Sequence, residues 1–267
     1  MSGAATGGEM HCRVCGLRQD EAIWGVDGQG ATFNICACCG CEFGYEDCLP
    51  DGVRRHREKW IASGGAWSDP IKRPAGWTIE GQLSKVPRFY FRTLPGLSGT
   101  GARPVQFSVM GTGGHSEGFV VEFTCANGQS WVGNFQGVRY GMSAVFTVPG
   151  RTDQAMVIAE GQAYAVEPET RTLVRTFGGQ LAEVFYLPRR EAMIFGNGQW
   201  FECVGPEGVL WSTRRTSWDG MLEVSMDGDR LHGRAFDVIN DCWCPFEVDI
   251  ETGEVTGGSY PLDLPQP

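Results

Sequence analysis

No apolar run in this 267-residue chain approaches the about 18 residues that a membrane-crossing helix needs, so no membrane-spanning segment and no membrane partner are expected. The opening stretch MSGAATGGEM contains neither a basic nor an apolar run, which predicts no export signal and a reducing, cytoplasmic setting. Cations are sparse in the second half. Residues 105–267 carry 10 Lys+Arg against 21 Asp+Glu, a balance of −11, whereas residues 1–104 carry 12 against 11, or +1. A surface of that sign repels phosphate backbones, so nucleic-acid binding is disfavoured and a basic protein partner is expected instead. The three lysines, Lys59, Lys72 and Lys85, form a weak basic strip between the helix and the linker described below.

A catalytic constellation is also missing. His115-Ser116-Glu117 has the residue types of a triad, but neighbours on a strand point to opposite faces and cannot relay a proton. Gly111-Thr112-Gly113-Gly114 has no lysine and no following helix, so it is no phosphate cradle. Asp227-Gly228-Asp229 lacks the further acidic ligands of a calcium loop and reads as a hairpin turn. No catalytic residue is assigned.

The cysteines are the informative feature. There are eleven, an odd number that a disulfide framework would leave with one unpaired. Cys12-Arg13-Val14-Cys15-Gly16 is answered by Cys36-Ala37-Cys38-Cys39-Gly40. A C-x-x-C turn holds two sulfurs on one side of a metal, and the following glycine lets the backbone curl back. Two such turns make a closed tetrahedral site, so Cys12, Cys15, Cys36 and Cys39 are the expected ligands of a structural Zn2+. The pair Cys38/Cys41 offers an alternative register; 36 and 39 are preferred because Gly40 directly follows the second ligand. His56 reads as a surface histidine beside a complete thiolate shell. Cys242-Trp243-Cys244 would put both thiols on one face of a strand, and reads as two packed thiols beside an aromatic more readily than as a redox pair or second metal site.

The run Asn34-Ile35-Cys36-Ala37-Cys38-Cys39-Gly40-Cys41-Glu42-Phe43-Gly44-Tyr45-Glu46-Asp47, with Arg57-Glu58-Lys59-Trp60-Ile61 and Gly65-Ala66-Trp67, resembles the bacterial cysteine-rich CPCC family. The resemblance spans roughly residues 10–85 and implies a zinc-ribbon-like domain of largely uncharacterised function. The chain departs from that pattern at Arg13 and Ala37, where the knuckles usually carry proline, and at Cys41, where an aromatic is common.

The expected organisation is a disordered tail over 1–9, a zinc-ribbon-like domain over 10–85, a linker over 86–104, an acidic β domain over 105–260 and a tail over 261–267. In the first domain, strand-like pieces at 21–24 and 31–35 suggest a hairpin, and the Gly- and Pro-free stretch 53–62 a short helix closed by Ser63-Gly64-Gly65. Trp67 and Trp77 are expected to pack the proline-rich stretch behind it. The second half repeats. Hairpin turns centred near 127, 169, 207 and 252 recur about every 40 residues, each preceded by another strand pair such as 144–148 with 155–159. No glycine-free window there reaches twelve residues with helical spacing. The predicted fold is therefore mainly β: a small zinc ribbon with one helix, then about four antiparallel repeats, propeller-like or alternatively a β-sandwich. Trp131, Trp211, Trp218 and Trp243 are expected to lock neighbouring repeats.

These features predict a non-enzymatic zinc-binding recognition protein, of immunity or antitoxin type, that masks a basic toxin or effector. The alternatives are a hydrolase or other zinc-dependent enzyme, and a carbohydrate- or peptide-binding module.

Overall fold

The computed structural model describes residues 7–109 and 116–264, so His115 and the Gly111–Gly114 loop lie outside the described residues. Helix α1 spans Pro50–Ala62 and starts three residues before the stretch expected from the sequence. Proline at its first turn is preset for helical φ, and Asp51 complements the positive end. The helix ends as its composition predicts: Gly64, at φ +78°, allows Gly65 N–H to reach Trp60 O at 3.0 Å. Val53 and Trp60 face inward, and Trp60 and Trp67 each meet the ring of Trp77 edge-on at 6.2 and 5.9 Å. Helix α2, Ile79–Leu83, follows under a Thr78 cap.

The stretches 21–24 and 31–35 do not become strands, although Gly30 N–H reaches Trp24 O and Thr32 N–H reaches Ile23 O, both at 3.0 Å. Strand-type pairing is confined to the knuckles, through isolated bridges His11 to Arg18 and Ile35 to Glu42 that flank Cys12–Cys15 and Cys36–Cys39. Each knuckle satisfies its own backbone, with Gly16 N–H on Cys12 O and Gly40 N–H on Cys36 O at 2.8 Å, leaving little for a longer ladder.

The rest of the chain forms four four-stranded sheets. The first holds β1 (Phe89–Leu94), β2 (Val105–Phe107), β3 (Phe119–Cys125) and β4 (Ser130–Phe135) in the order β1-β3-β4-β2. Here β2 lies parallel to β4, whereas the other three sheets are antiparallel meanders. The segment 86–104, expected as linker, thus supplies the edge strand β1. The second sheet is β5 (Ala144–Thr147), β6 (Ala155–Ala159), β7 (Gln162–Glu167) and β8 (Thr172–Phe177). The third is β9 (Glu183–Leu187), β10 (Ala192–Gly196), β11 (Phe201–Gly205) and β12 (Gly208–Ser212). The fourth is β13 (Met221–Asp227), β14 (Arg230–Asp237), β15 (Cys242–Asp249) and β16 (Val255–Gly257). The hairpins near 127, 169, 207 and 252 are those joining β3–β4, β7–β8, β11–β12 and β15–β16.

The core sits between sheets. Val145, Val157 and Tyr164 of the second sheet pack with Phe91, Phe123 and Phe135 of the first, while its alternate residues Phe146, Met156 and Ile158 pack with Val184, Met193 and Phe195 of the third. The third sheet repeats the pattern, turning Phe185, Ile194 and Phe201 to Leu231, Phe246 and Val248 of the fourth. Period-two alternation with both faces apolar explains why β6, β7 and β10 are buried along almost their whole length. The result is a propeller-like array. Among the described residues, no such cluster joins the fourth sheet to the first. Two of the four tryptophans expected to lock neighbouring repeats do so: Trp131 donates to Pro168 O at 2.8 Å, and Trp211 donates to Ile250 O at 3.1 Å, whereas Trp243 packs on Phe236 of its own sheet and Trp218 on Tyr260.

The cysteine-rich module docks on the leading edge strands. The outward amides of β1 are taken by Glu9 Oε1, which accepts from Phe91 N–H at 3.2 Å, and by Asp27 O, which accepts from Thr93 N–H at 2.8 Å. Gly28 lies so close that a Cβ would come within 2.2 Å of Phe91 O. Gly8 N–H reaches Val145 O on β5 at 2.7 Å, and the Arg18 guanidinium stacks 4.1 Å from the Tyr186 ring centre on β9. Residues 7–9, expected in the tail, are therefore buried against the sheets. No helix among the described residues is long and apolar enough to cross a membrane.

Candidate metal centre

The two knuckles face each other so that the sulfurs of Cys12, Cys15, Cys36 and Cys39 lie within 4.8 Å of one another, all buried. Cys12 Sγ is 3.6 Å from Cys39 Sγ, and Cys15 Sγ is 3.6 Å from Cys36 Sγ. A tetrahedral metal with four sulfurs at about 2.3 Å has edges of about 3.8 Å. Four thiols at these separations can hold a metal ion with only small sulfur shifts, and a four-sulfur shell leaves no open coordination position. Of the thiols that competed in the sequence, Cys38 and Cys41 are buried beside this group rather than in it: Cys38 contacts Cys15, and Cys41 contacts Cys12 while its Sγ also reaches Glu42 O at 3.7 Å. Cys48 is exposed, with its sulfur on Gly44 O.

The thiols influence one another's ionisation. Burial by itself raises the Cys12 thiol, but contacts from Cys15, Cys36, Cys39 and Cys41 bring it well below its ordinary value. Cys15 and Cys39 move strongly the other way, chiefly because the contact with Cys12 favours their protonated forms. One thiolate is thus solvated by its neighbours, whereas further ionisation in this buried space calls for a cation.

Side chains around the knuckles hold them in place. Arg57 of α1 donates to Val14 O at 2.7 Å and Arg13 O at 2.6 Å, fixing the first knuckle, and His56 Nε2 donates to Cys39 O at 3.0 Å, fixing the second. His56 is therefore a bracket on the backbone rather than a ligand. Gln19 Nε2 approaches Cys36 Sγ at 4.0 Å. Between its two cysteines, Arg13 turns inward: it pairs with Glu9 at 2.6 and 2.7 Å, donates to Asp47 O at 3.1 Å, and lies 4.2 and 4.6 Å from the ring centres of Trp24 and Tyr90. Asp47 accepts from Gly44 N–H and Trp24 Nε1. Burial raises its carboxyl pKa against the lowering effect of those bonds. Sequence reasoning singled out none of Glu9, Gln19 or Asp47. The spacing Glu9 to Arg13 was the available signal, but four residues apart only implies contact within a helix, and this segment is a turn.

No family model matches the chain, and no curated protein matches it.

Proposed function

We propose that the chain is a non-enzymatic recognition protein whose four-cysteine centre holds a structural Zn2+ and whose acidic β array binds a basic protein, in the manner of an immunity or antitoxin protein masking a toxin or effector. The resemblance to the bacterial CPCC family belongs to the same reading. Zn2+ is the ion that suits four thiolates in a closed tetrahedron without redox chemistry. A reducing, cytoplasmic setting is part of the same reading, because thiolate metal ligands require reduced cysteines. A zinc-dependent hydrolase would need one of the four thiolates to leave the metal, against the closed grouping of the sulfurs.

The observation that carries the binding role is where the carboxylates stand. In antiparallel meanders alternate turns lie on one end of the array. The β7–β8, β11–β12, β13–β14 and β15–β16 turns there present exposed Glu169, Glu207, Asp227, Asp229, Glu251 and Glu254. Arginines offset part of this charge, through Arg88–Glu169 at 3.8 Å and Arg190–Glu251 at 3.3 Å. Exposed pairs of that kind contribute only about 0–1 kcal/mol, so they yield readily to a partner's cations.

The test uses full-length protein as bait in host extract. A basic protein should be retained at 0.1 M salt and released towards 1 M, as the Debye length falls from about 10 Å to about 3 Å. The charge-reversed pairs Asp227→Lys with Asp229→Lys, and Glu167→Lys with Glu169→Lys, should each weaken retention. Equal retention by the charge-reversed variants, or recovery of no basic protein together with turnover of a small substrate, would overturn the reading.

One observation favours the carbohydrate or peptide alternative: a cavity of about 320 Å³ lined by Phe177, Phe195, Asn197, Gln199, Trp200 and Glu202. It combines aromatic faces with amide and carboxyl groups. Saccharide-dependent quenching of tryptophan fluorescence, lost in Trp200→Phe, would support it.

A further inference from the structure

The fourth sheet carries a second cluster of metal-binding side chains. Cys242 and Cys244 lie two residues apart on β15, so their side chains share a face. Their sulfurs are 3.9 Å apart, close to the about 3.8 Å edge of a tetrahedral thiolate metal site. Asp237, at the end of β14, stands directly opposite Cys242 in the strand register. Its ligand atom and the two sulfurs all lie within 4.8 Å of one another.

The carboxylate is held in place independently of any metal. Asp237 Oδ1 accepts from Ile239 N–H at 2.9 Å and Asn240 N–H at 3.3 Å, while Oδ2 accepts from Asn240 Nδ2 at 2.7 Å. Those bonds fill both lone pairs of Oδ1 and leave one free on Oδ2, the oxygen available to a metal. On the other face of the sheet, Trp243 packs against Phe236 with ring centres 5.0 Å apart, which fixes the strand between the two cysteines. Cys242 is exposed and Cys244 half-buried, so the cluster opens to solvent.

We propose that Cys242, Cys244 and Asp237 form a second, open site for a divalent thiophilic metal ion, distinct from the four-cysteine centre. Two thiolates and a carboxylate supply three ligands, and the fourth position is left to water or to a donor from outside the chain. With fewer sulfurs and direct solvent access, this site exchanges its metal faster and holds it more weakly than the buried centre. Zn2+ is its natural candidate, and Cd2+ is a spectroscopic probe of the same chemistry.

The test is a Cd2+ titration of reduced, full-length protein, followed by alkylation with N-ethylmaleimide and mapping of the modified cysteines. Two equivalents should bind per chain. Mild chelation should expose Cys242 and Cys244 to alkylation while Cys12, Cys15, Cys36 and Cys39 stay protected; exposed Cys48 is the control that reacts throughout. Cys242→Ser with Cys244→Ser should abolish the second equivalent and keep the first. Asp237→Asn preserves the acceptor for Ile239 and Asn240 but lacks the charge, and should weaken the second equivalent by about tenfold or more, since even an outer partner of a metal ligand is worth about 10–100-fold. A stoichiometry of one overturns the proposal, as does a second equivalent that survives the double substitution. Where the double variant fails to fold, alkylation of native protein decides: equal reactivity of Cys242 and Cys244 with and without metal refutes the site.

Discussion

Replacing Glu9 by glutamine removes one negative charge from the joint between the cysteine module and the sheets, and almost nothing else. The Glu9 and Arg13 side chains are 7% and 8% exposed, so neither charge is screened by bulk water. At an effective dielectric of about 20, unit charges 4 Å apart attract by about 4 kcal/mol, and desolvation of both groups cancels much of that in the intact pair. The variant keeps the desolvation of Arg13 and loses the attraction. Stranding one partner of a buried pair costs about 3–5 kcal/mol. Part is offset, because Arg13 retains its contacts with the Trp24 and Tyr90 rings, worth about 1–2 kcal/mol in a desolvated setting, and its bond to Asp47 O. The expected loss is therefore about 2–4 kcal/mol in urea denaturation of the metal-loaded chain, followed by tryptophan fluorescence. Because the pair is buried, the loss should hardly change between 0.1 and 0.5 M salt. Replacing both partners, as Glu9→Gln with Arg13→Met, keeps the acceptor for the Phe91 amide, leaves no orphaned arginine charge and should cost less than Glu9→Gln alone. A single-variant loss under about 0.5 kcal/mol, or a double variant less stable than the single one, would refute this account of the joint.

The metal centre gives a second expectation: Cys15→Ser or Cys39→Ser should lose the bound metal and unfold residues 10–62, while Cys38→Ser keeps it, as read by metal analysis and circular dichroism. Loss of metal in Cys38→Ser but not in Cys36→Ser would reassign the ligands. Trp131→Phe and Trp211→Phe each remove the shorter of two donors to a carbonyl of the next sheet, leaving Pro168 O the Cys125 thiol at 3.4 Å and Ile250 O the Arg190 guanidinium at 3.5 Å, and should cost about 1 kcal/mol. Acting at different interfaces, their costs should add in the double variant. Burial raises the Glu183 carboxyl above its ordinary value, and its Oε2 has no partner. The folded chain then binds the proton more tightly than the unfolded one, so this group's contribution is intact below the ordinary carboxyl range and is lost as pH rises through the folded value. Glu183→Gln should accordingly stabilise the protein at pH 7, with the gain fading towards about pH 4 in parallel denaturation curves.

What could be read from the sequence was what depends on short spacing. The C-x-x-C-G turns announced a four-sulfur cluster because ligand geometry is encoded within each turn. The forty-residue recurrence of hairpins announced four sheets because each sheet is a local meander. The position of β1 was less legible: Phe89–Leu94 is flanked by prolines at 87 and 95 and reads as a connector, but its partner β3 lies some thirty residues away. The parallel pairing of β2 with β4 is equally non-local. Glu9 and Asp237 were missed for a related reason. Each gains its role from a neighbour across a turn, and no periodicity marks a carboxylate that meets an arginine in a knuckle or a cysteine across a strand pair.

The charge step near residue 104 and the prolines before it suggest two independent halves, but the hydrogen bonds describe a different coupling. Strand β1 uses one side of its backbone on β3, and its other side would be an open edge. Glu9 and Asp27 take the Phe91 and Thr93 amides on that side, Gly8 covers β5 at Val145 O, and Arg18 covers β9 at Tyr186. The module therefore closes the leading edge of β1, where an unpaired strand would otherwise recruit other chains, meets β5 through one backbone bond and touches β9 through a side chain. If its four cysteines hold the proposed structural metal, chelation should act at a distance. In hydrogen exchange of the full chain, removing metal should sharply accelerate the Phe91 and Thr93 amides, while Val157 and Ile158, inside the second sheet, keep their protection. Loss of protection at all four positions together would mean that the array has no stability of its own without the module. Unchanged exchange at Phe91 and Thr93 would show that β1 does not depend on the module to close its edge.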